Sequence, residues 1–393
     1  MSSPFHRRPR RLAALAGAAT ATLLLAGCGG GLLAGEDESD GTEGPIVLGM
    51  VTPLSGSSAA IGPYMENGAK LAVSEINADG GVDGRDLELI VEDGACDAKT
   101  AAAAANKLVT QEIVVSVGGY CSGATLPTLP IFNKAGVPML IPAANSTELV
   151  DQGLENVFLI NGTGTQQADA AVAYMEKAGA TKVALMDDNT SYSVDIANLT
   201  AERLKESGGP ELVAQESVTA GESDYSANVN AVLKANPDFV YWTGYYQEGG
   251  LIIRQLRQAG YEGAIMVADG SVDVKLLEIA GEQNAEGILA TMTQTPDTIE
   301  GAEGWISDYK EQFGAEPGPY STQSYDAVRV AAEAIREAGT TETDAVIEAL
   351  EGIDGFQLFS GPLTFTEDHT LSSGGFQILE SSGGAFTLKD TLQ

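Results

Sequence analysis

The stretch Val114-Val115-Ser116-Val117-Gly118-Gly119-Tyr120-Cys121-Ser122-Gly123 decides the fold. Its apolar, β-branched first half predicts a buried parallel strand, and its small and polar second half predicts a loop opening at that strand's carboxyl end. Small ligands of open α/β sheets sit at such ends, where loop amides and hydroxyls converge. Ser122 is therefore the first candidate ligand contact. Its competing role is to cap the helix expected to start near Thr125.

The flanking chain repeats one grammar. Strands are expected at Ile46 to Val51, Leu87 to Glu92 and Pro138 to Ile141, with helices at Tyr64 to Asp79, Lys99 to Gln111 and Thr125 to Ala135. Gly80-Gly81 ends the first helix. This βαβαβα order implies a doubly wound parallel sheet. After Gly162 the order restarts: helices at Gln166 to Lys177, Val194 to Glu206, Tyr225 to Ala235 and Glu248 to Ala259 alternate with strands at Lys182 to Met186, Glu211 to Ser217, Phe239 to Thr243 and Ala264 to Val267. A second open sheet follows, facing the first across a cleft. The tail predicts helices at Trp305 to Phe313, Ser324 to Ala338 and Asp344 to Leu350, then antiparallel strands at Leu363 to Phe365 and Gly375 to Glu380.

A chain of 393 residues, 44% of them hydrophobic, suits two lobes of ordinary size. With 21 basic against 55 acidic residues, it has no basic stripe to neutralise phosphates, which excludes a nucleic-acid partner. Arg7-Arg8-Pro9-Arg10-Arg11 and the apolar run Leu12 to Leu24 read as an export signal over residues 1–27, too short for a membrane span. Leu25-Ala26-Gly27-Cys28 resembles the bacterial lipobox, which implies lipid on Cys28 and anchoring to the outer face of the cell membrane. Residues 28–44, Gly-rich and then acidic at Glu36-Asp37-Glu38-Ser39-Asp40, read as a flexible tether. Cys96 and Cys121 are left as an even pair in an exported chain and are expected to bond, at a gain of roughly 3 kcal/mol. Two separate buried thiols are the alternative.

Catalytic constellations are hard to assemble. The histidines are His6, in the leader, and His369, expected in a solvated loop. No Gly-x-Ser-x-Gly elbow, zinc-type cluster, Walker element or dinucleotide fingerprint accompanies them. Asp187-Asp188 is a weak carboxylate pair for hydrolysis. The chain is thus expected to be no enzyme and to carry no metal or cofactor. Hydroxyls and phenols recur instead at strand ends: Ser122, the run Ala143-Ala144-Asn145-Ser146-Thr147, Tyr192, Tyr245 and Tyr246, with Asp269 as one acid suited to an ammonium group. The set matches a zwitterionic amino acid. Packing by the tyrosines and helix capping by Asp269 are the plainer roles.

Thr52-Pro53-Leu54-Ser55-Gly56, Asn67-Gly68-Ala69, Glu75 to Gly81, Glu92 to Asp97, Asn106-Lys107-Leu108-Val109 and Thr219 to Tyr225 resemble the leucine/isoleucine/valine-binding proteins, type I periplasmic solute-binding proteins that feed ABC importers. The resemblance implies an α/β fold of two doubly wound parallel-sheet lobes joined by three hinge crossovers, near Gly162-Thr163, Thr293-Gln294 and Gly352 to Asp354. Residues 45–162 and 294–352 would form the N-terminal lobe, and 163–293 and 353–393 the C-terminal lobe. It implies that Cys96 and Cys121 are bonded and that Ser122 holds the ligand carboxylate. Ala143, Asn145 and Ser146 add backbone groups and a hydroxyl, with Asn145 standing where a threonine is expected. Tyr192, Tyr245 and Tyr320 supply aromatic walls, Asp269 replaces a glutamate that pairs with the ligand amine, and Ile61 replaces an aromatic.

What the resemblance implies in function is capture of a branched-chain amino acid, or a related small amino acid or amide, by hinge closure, and delivery by a monomer to a membrane ABC permease. Rival functions are ligand sensing with a separate membrane receptor, binding of urea, short amides or aromatic acids, and secreted hydrolysis.

Overall fold

Alternating strands and helices build the molecule. The computed structural model describes residues 44–372 and 375–392. The expected leader, the lipid site Cys28 and the tether up to residue 43 lie outside them. The first half runs β1 (Ile46–Thr52), α1 (Gly62–Ala78), β2 (Leu87–Asp93), α2 (Ala98–Thr110), β3 (Val115–Ser116), α3 (Ser122–Thr125), α4 (Leu129–Ala135), β4 (Met139–Ile141) and β5 (Val157–Leu159). These strands form one parallel sheet in the order β2-β1-β3-β4-β5. The apolar run ahead of Gly118 keeps pairing with β1 past β3, since Val117 N and Gly119 N donate to the carbonyls of Gly49 and Val51 at 2.8 and 3.0 Å. Leu48, Met50, Val115 and Val117 are fully buried there, as a strand covered on both faces requires.

The second half runs α5 (Gly164–Lys177), β6 (Lys182–Asp187), α6 (Ser191–Ser207), β7 (Glu211–Ser217), α7 (Ser226–Lys234), β8 (Phe239–Trp242), α8 (Tyr246–Gln258), β9 (Ala264–Val267), α9 (Val274–Ala280), α10 (Glu282–Ala285) and β10 (Leu289–Met292). Then come α11 (Glu303–Phe313), α12 (Ser321–Ala338), α13 (Thr343–Glu351), the hairpin β11 (Asp354–Leu358) and β12 (Gly361–Thr364), and last β13 (Gln377–Ser382) and β14 (Ala385–Asp390). The second sheet has the order β14-β13-β10-β9-β8-β6-β7, with parallel pairing from β10 to β7 and antiparallel pairing of β13 with β10 and with β14. The expected α/β architecture of two doubly wound lobes is present. Among the described residues no helix is long and apolar enough to cross a membrane.

The fold departs from the sequence-based expectation at several points. The helix expected over Thr125 to Ala135 breaks into α3, a 3-10 turn at Leu126–Thr128 and α4, because Pro127 and Pro130 lack the amide hydrogens a continuous helix needs. β5, α9, α10, β10, β11 and β14 are additional to the expected elements, and all are short. Tyr192 belongs to the first turn of α6 rather than to the loop before it.

The third crossover comes later than Gly352 to Asp354. Phe359 N donates to Asp326 Oδ2 on α12 at 2.8 Å, Phe365 packs on Phe158 with ring centres 5.0 Å apart, and Leu159 N donates to the His369 carbonyl at 2.9 Å. Residues 353–371 therefore sit on the first lobe, and β13 pairs into the sheet of the second. His369 is likewise no solvated loop residue: its ring stacks on Phe158 at 4.2 Å and Nδ1 lies 3.1 Å from the Val157 carbonyl oxygen.

Candidate ligand-binding site

At the end of β3, Gly118 lies so close to β1 that a Cβ would stand 2.6 Å from Val51 N, and Gly119 turns with φ +121°. Only glycine makes that turn without strain. The chain then presents Tyr120, Cys121 and Ser122. A Cys96–Cys121 disulfide, with Cα atoms 5.4 Å apart, ties this loop to the one after β2. The loop after β4 is stitched alongside: Ala144 N donates to the Gly119 carbonyl, Asn161 Nδ2 to the Ala143 carbonyl, and Ser146 N to Ser122 Oγ at 3.3 Å. A hydroxyl and an amide of the first lobe thus meet at one point.

The second lobe answers with strand-end residues of its own. Tyr192 enters from α6, Tyr245 precedes α8, and Asp269 follows β9. Gly270 lets the two rings close in, since a Cβ there would lie 2.9 Å from Tyr192 Cε1 and 3.0 Å from Tyr245 Cδ1. Tyr320 arrives from the start of α12 with φ +64°, a left-handed conformation unusual for an aromatic residue. α12 lies so tightly on α1 that a Cβ on Gly68 would meet the Ser321 carbonyl at 2.0 Å, and this contact sets where Tyr320 stands.

These groups converge on Asp269, which is 2% exposed. Its Oδ1 accepts from Tyr192 Oη at 2.5 Å and Gln167 Nε2 at 2.9 Å, and its Oδ2 from Tyr320 Oη at 2.7 Å and Asn145 Nδ2 at 3.5 Å. All four donors are uncharged. Burial pushes the Asp269 carboxyl above the ordinary aspartate range against the pull of these bonds. Burial also raises the phenols of Tyr120, Tyr192, Tyr245 and Tyr320. The rings pack as a cage, with centres 5.1 Å apart for Tyr192 and Tyr245, 5.8 Å for Tyr120 and Tyr245, and 5.5 Å for Tyr120 and Tyr320.

The carboxylate also sets the amide orientations. Gln167 Nε2 must face Asp269, so Gln167 Oε1 is the acceptor for Asn145 Nδ2 at 3.0 Å. Asn145 Oδ1 is then turned away, buried and without a hydrogen-bond partner among the described residues. A buried acceptor left open beside a buried acid is a place for N–H donors.

Of the residues singled out from sequence, Asn145, Tyr192, Asp269 and Tyr320 meet directly. Tyr245 packs on Tyr192, and Ser122 and Ser146 pair with one another. Ala143 lies one step back, with its carbonyl taken by Asn161. Ile61 is buried ahead of α1 in the same apolar cluster as Tyr120 and Tyr320. The side chain of Asn145 faces the acid, whereas the Ser146 amide faces Ser122. Sequence reasoning missed Gln167 and Tyr120. Gln167 hides inside a helix, and Tyr120 stands in plain view between two glycines and a cysteine. The carboxylates of Asp187 and Asp188 are spent on turns, Asp188 accepting from Thr190 Oγ1 at 2.6 Å and Asp187 from Asn189 N at 3.0 Å. Among the described residues no group of three or more His, Cys, Asp or Glu is placed to hold a metal ion.

Contacts between the lobes are already made. Besides Tyr320 to Asp269, Tyr120 Oη donates to the Gly270 carbonyl at 3.2 Å and Gln247 Nε2 to the Ser57 carbonyl at 2.9 Å. The structure is that of a closed cleft.

Residues 45–384 match the family model described as periplasmic binding protein. The chain is 32% identical over 336 residues to the leucine-, isoleucine-, valine-, threonine- and alanine-binding protein of Pseudomonas aeruginosa, covering 85% of this chain and 89% of that one. It is also 32% identical to the Leu/Ile/Val-binding protein of Escherichia coli, covering 85% and 90%. A leucine-binding protein from Thermotoga maritima superposes with a TM-score of 0.80 at 28% identity, covering 88% of this chain and 97% of that one. A branched-chain amino acid transporter substrate-binding protein from Streptococcus pneumoniae, solved with isoleucine, gives 0.79 at 29%, covering 87% and 97%. With its two lobes, its cleft and these relatives, the chain belongs to the leucine/isoleucine/valine-binding family of type I periplasmic solute-binding proteins.

Proposed function

We propose that this solute-binding protein captures a free aliphatic amino acid and hands it to an ABC permease in the membrane, without chemical change to the ligand. The observation that carries the reading is Asp269, a buried carboxylate bonded only to neutral donors, with a buried acceptor, Asn145 Oδ1, left open on one of the side chains that bond it. A ligand ammonium supplies both the missing countercharge and the missing donors. Ser122 Oγ and Ser146 N would receive the ligand carboxylate, and the four tyrosines would enclose its aliphatic part. Ligand that touches Ser122 and Asp269 together spans the cleft and so favours the closed form. Tethering by lipid on Cys28 would keep this monomer at the outer face of the membrane, within reach of the permease.

Calorimetry against leucine, isoleucine, valine, alanine and threonine, with isocaproate, urea, short amides and benzoate alongside, tests the reading. The amino acids are expected to bind, and isocaproate, which is leucine without its amino group, is expected to bind weakly or not at all. Equal affinity for leucine and isocaproate would show that the acid does not serve an amine. Binding of amides or benzoate alone would move the protein to another ligand class.

A further inference from the structure

We infer that Asp195 is a closure clamp: a second-lobe carboxylate that grips the Ser146-Thr147 turn of the first lobe, and so sets ligand affinity as a positioning residue that touches no ligand. Asp195 stands on α6 three residues after Tyr192, on the same side of that helix. Its Oδ2 accepts from Thr147 N and its Oδ1 from Thr147 Oγ1, both at 2.8 Å, and the Ser146 hydroxyl faces it as well. Its reach depends on Gly164, because a Cβ there would stand 2.8 Å from Asp195 Oδ2. Each bond links a residue after β4 of one sheet to a residue after β6 of the other. Hinge opening must break them together.

Ser146 joins the clamp to the candidate site, since its hydroxyl faces Asp195 while its amide points at Ser122 Oγ. Gripping this turn holds the amide where a ligand carboxylate would need it. The gain comes from raising the share of molecules already closed, and apparent affinity scales with that share. Loss of the clamp therefore weakens every ligand by one common factor. A residue touching the ligand side chain would change the ranking among ligands instead, and one touching the shared ammonium or carboxylate would leave the shape of the ligand-free protein unchanged. The affinity part of this inference rests on the proposed amino-acid capture; the closure part does not.

The test uses the full chain, Asp195→Ala and Asp195→Asn. Small-angle scattering without ligand is expected to show a larger radius of gyration for Asp195→Ala than for wild type, with Asp195→Asn between them. Calorimetry with alanine and leucine is expected to show both ligands weakened by the same factor, roughly tenfold, in Asp195→Ala. Unchanged scattering overturns the clamp, and a changed alanine-to-leucine ratio makes Asp195 a ligand contact and overturns it too. If Asp195→Ala does not fold, Asp195→Asn, which keeps the shape and one acceptor, decides by the same criteria. If wild type binds neither amino acid, the proposed function fails and scattering still decides the clamp.

Discussion

Replacing Asp269 by Asn removes one charge from the centre of the cleft and almost no volume. In the ligand-free protein that charge is a burden, because a desolvated carboxylate faces two phenols and two amides with no cation among its bonded partners. Asn keeps an acceptor for Tyr192 and Gln167 and turns its amide toward Tyr320, so the ligand-free fold should lose only the 3.5 Å contact from Asn145 Nδ2, and its melting temperature should hold or rise. With an amino acid bound, the same charge answers an ammonium. A hydrogen bond to a charged group contributes about 1.5–3 kcal/mol, and at about 1.4 kcal/mol per decade the variant should bind leucine roughly ten- to a hundredfold more weakly. Calorimetry measures the loss and a melting curve without ligand measures the fold. Leucine binding within about threefold of wild type would refute the assignment of Asp269 to the ligand amine. A collapse of the ligand-free melting temperature would refute the claim that its role is recognition rather than structure.

Gly270→Ala pushes a methyl against Tyr192 and Tyr245 at 2.9 and 3.0 Å, so it should cost about 1–3 kcal/mol of stability by denaturant titration; an unchanged midpoint would mean that the rings have room to withdraw. Cys96→Ser with Cys121→Ser opens a link between residues 25 apart and should cost roughly 3 kcal/mol, with reductant giving the same loss in wild type and none in the double variant. Asp326, 3% exposed on α12, accepts from Phe359 N and from Arg329, and burial pushes its carboxyl up to about 6. A raised acid stabilises the fold as pH falls from about 6 toward its ordinary value near 3.8. Wild type should therefore gain about 3 kcal/mol on Asp326→Asn between near pH 8 and about pH 4; parallel stability curves for the two proteins would contradict this.

The lobes are legible in the sequence because their strands are long apolar runs punctuated by glycine. β7 and β9 fall on the residues expected. β5 and β10 are not read from the sequence, and their neighbours complete them as strands: β5 pairs with β4, and β10 with β9 and β13. The tail misleads for another reason. A hairpin such as β11–β12 shows which residues pair but not which lobe receives it. That choice is made by Asp326 on α12 and Phe158 on β5, which lie far away in sequence.

The same division runs through the site. Ser122, Tyr245 and Asp269 stand where a strand hands over to a loop, a position that marks them from the order of residues alone. Gln167 and Asp195 lie in helices, where polar residues ordinarily face water, and nothing in their spacing separates a cleft-facing side from a solvent-facing one. What distinguishes them is a glycine or an asparagine elsewhere: Asp195 needs the bare Cα of Gly164, and Gln167 needs Asn145 to take its carbonyl. Asn145, where a threonine is expected, is then a working part rather than a defect. Its longer side chain reaches an acid that is one methylene shorter than the expected glutamate. The two departures that the resemblance implies therefore belong together, and leucine affinity by calorimetry should fall more in Asn145→Thr or Asp269→Glu alone than in the double variant.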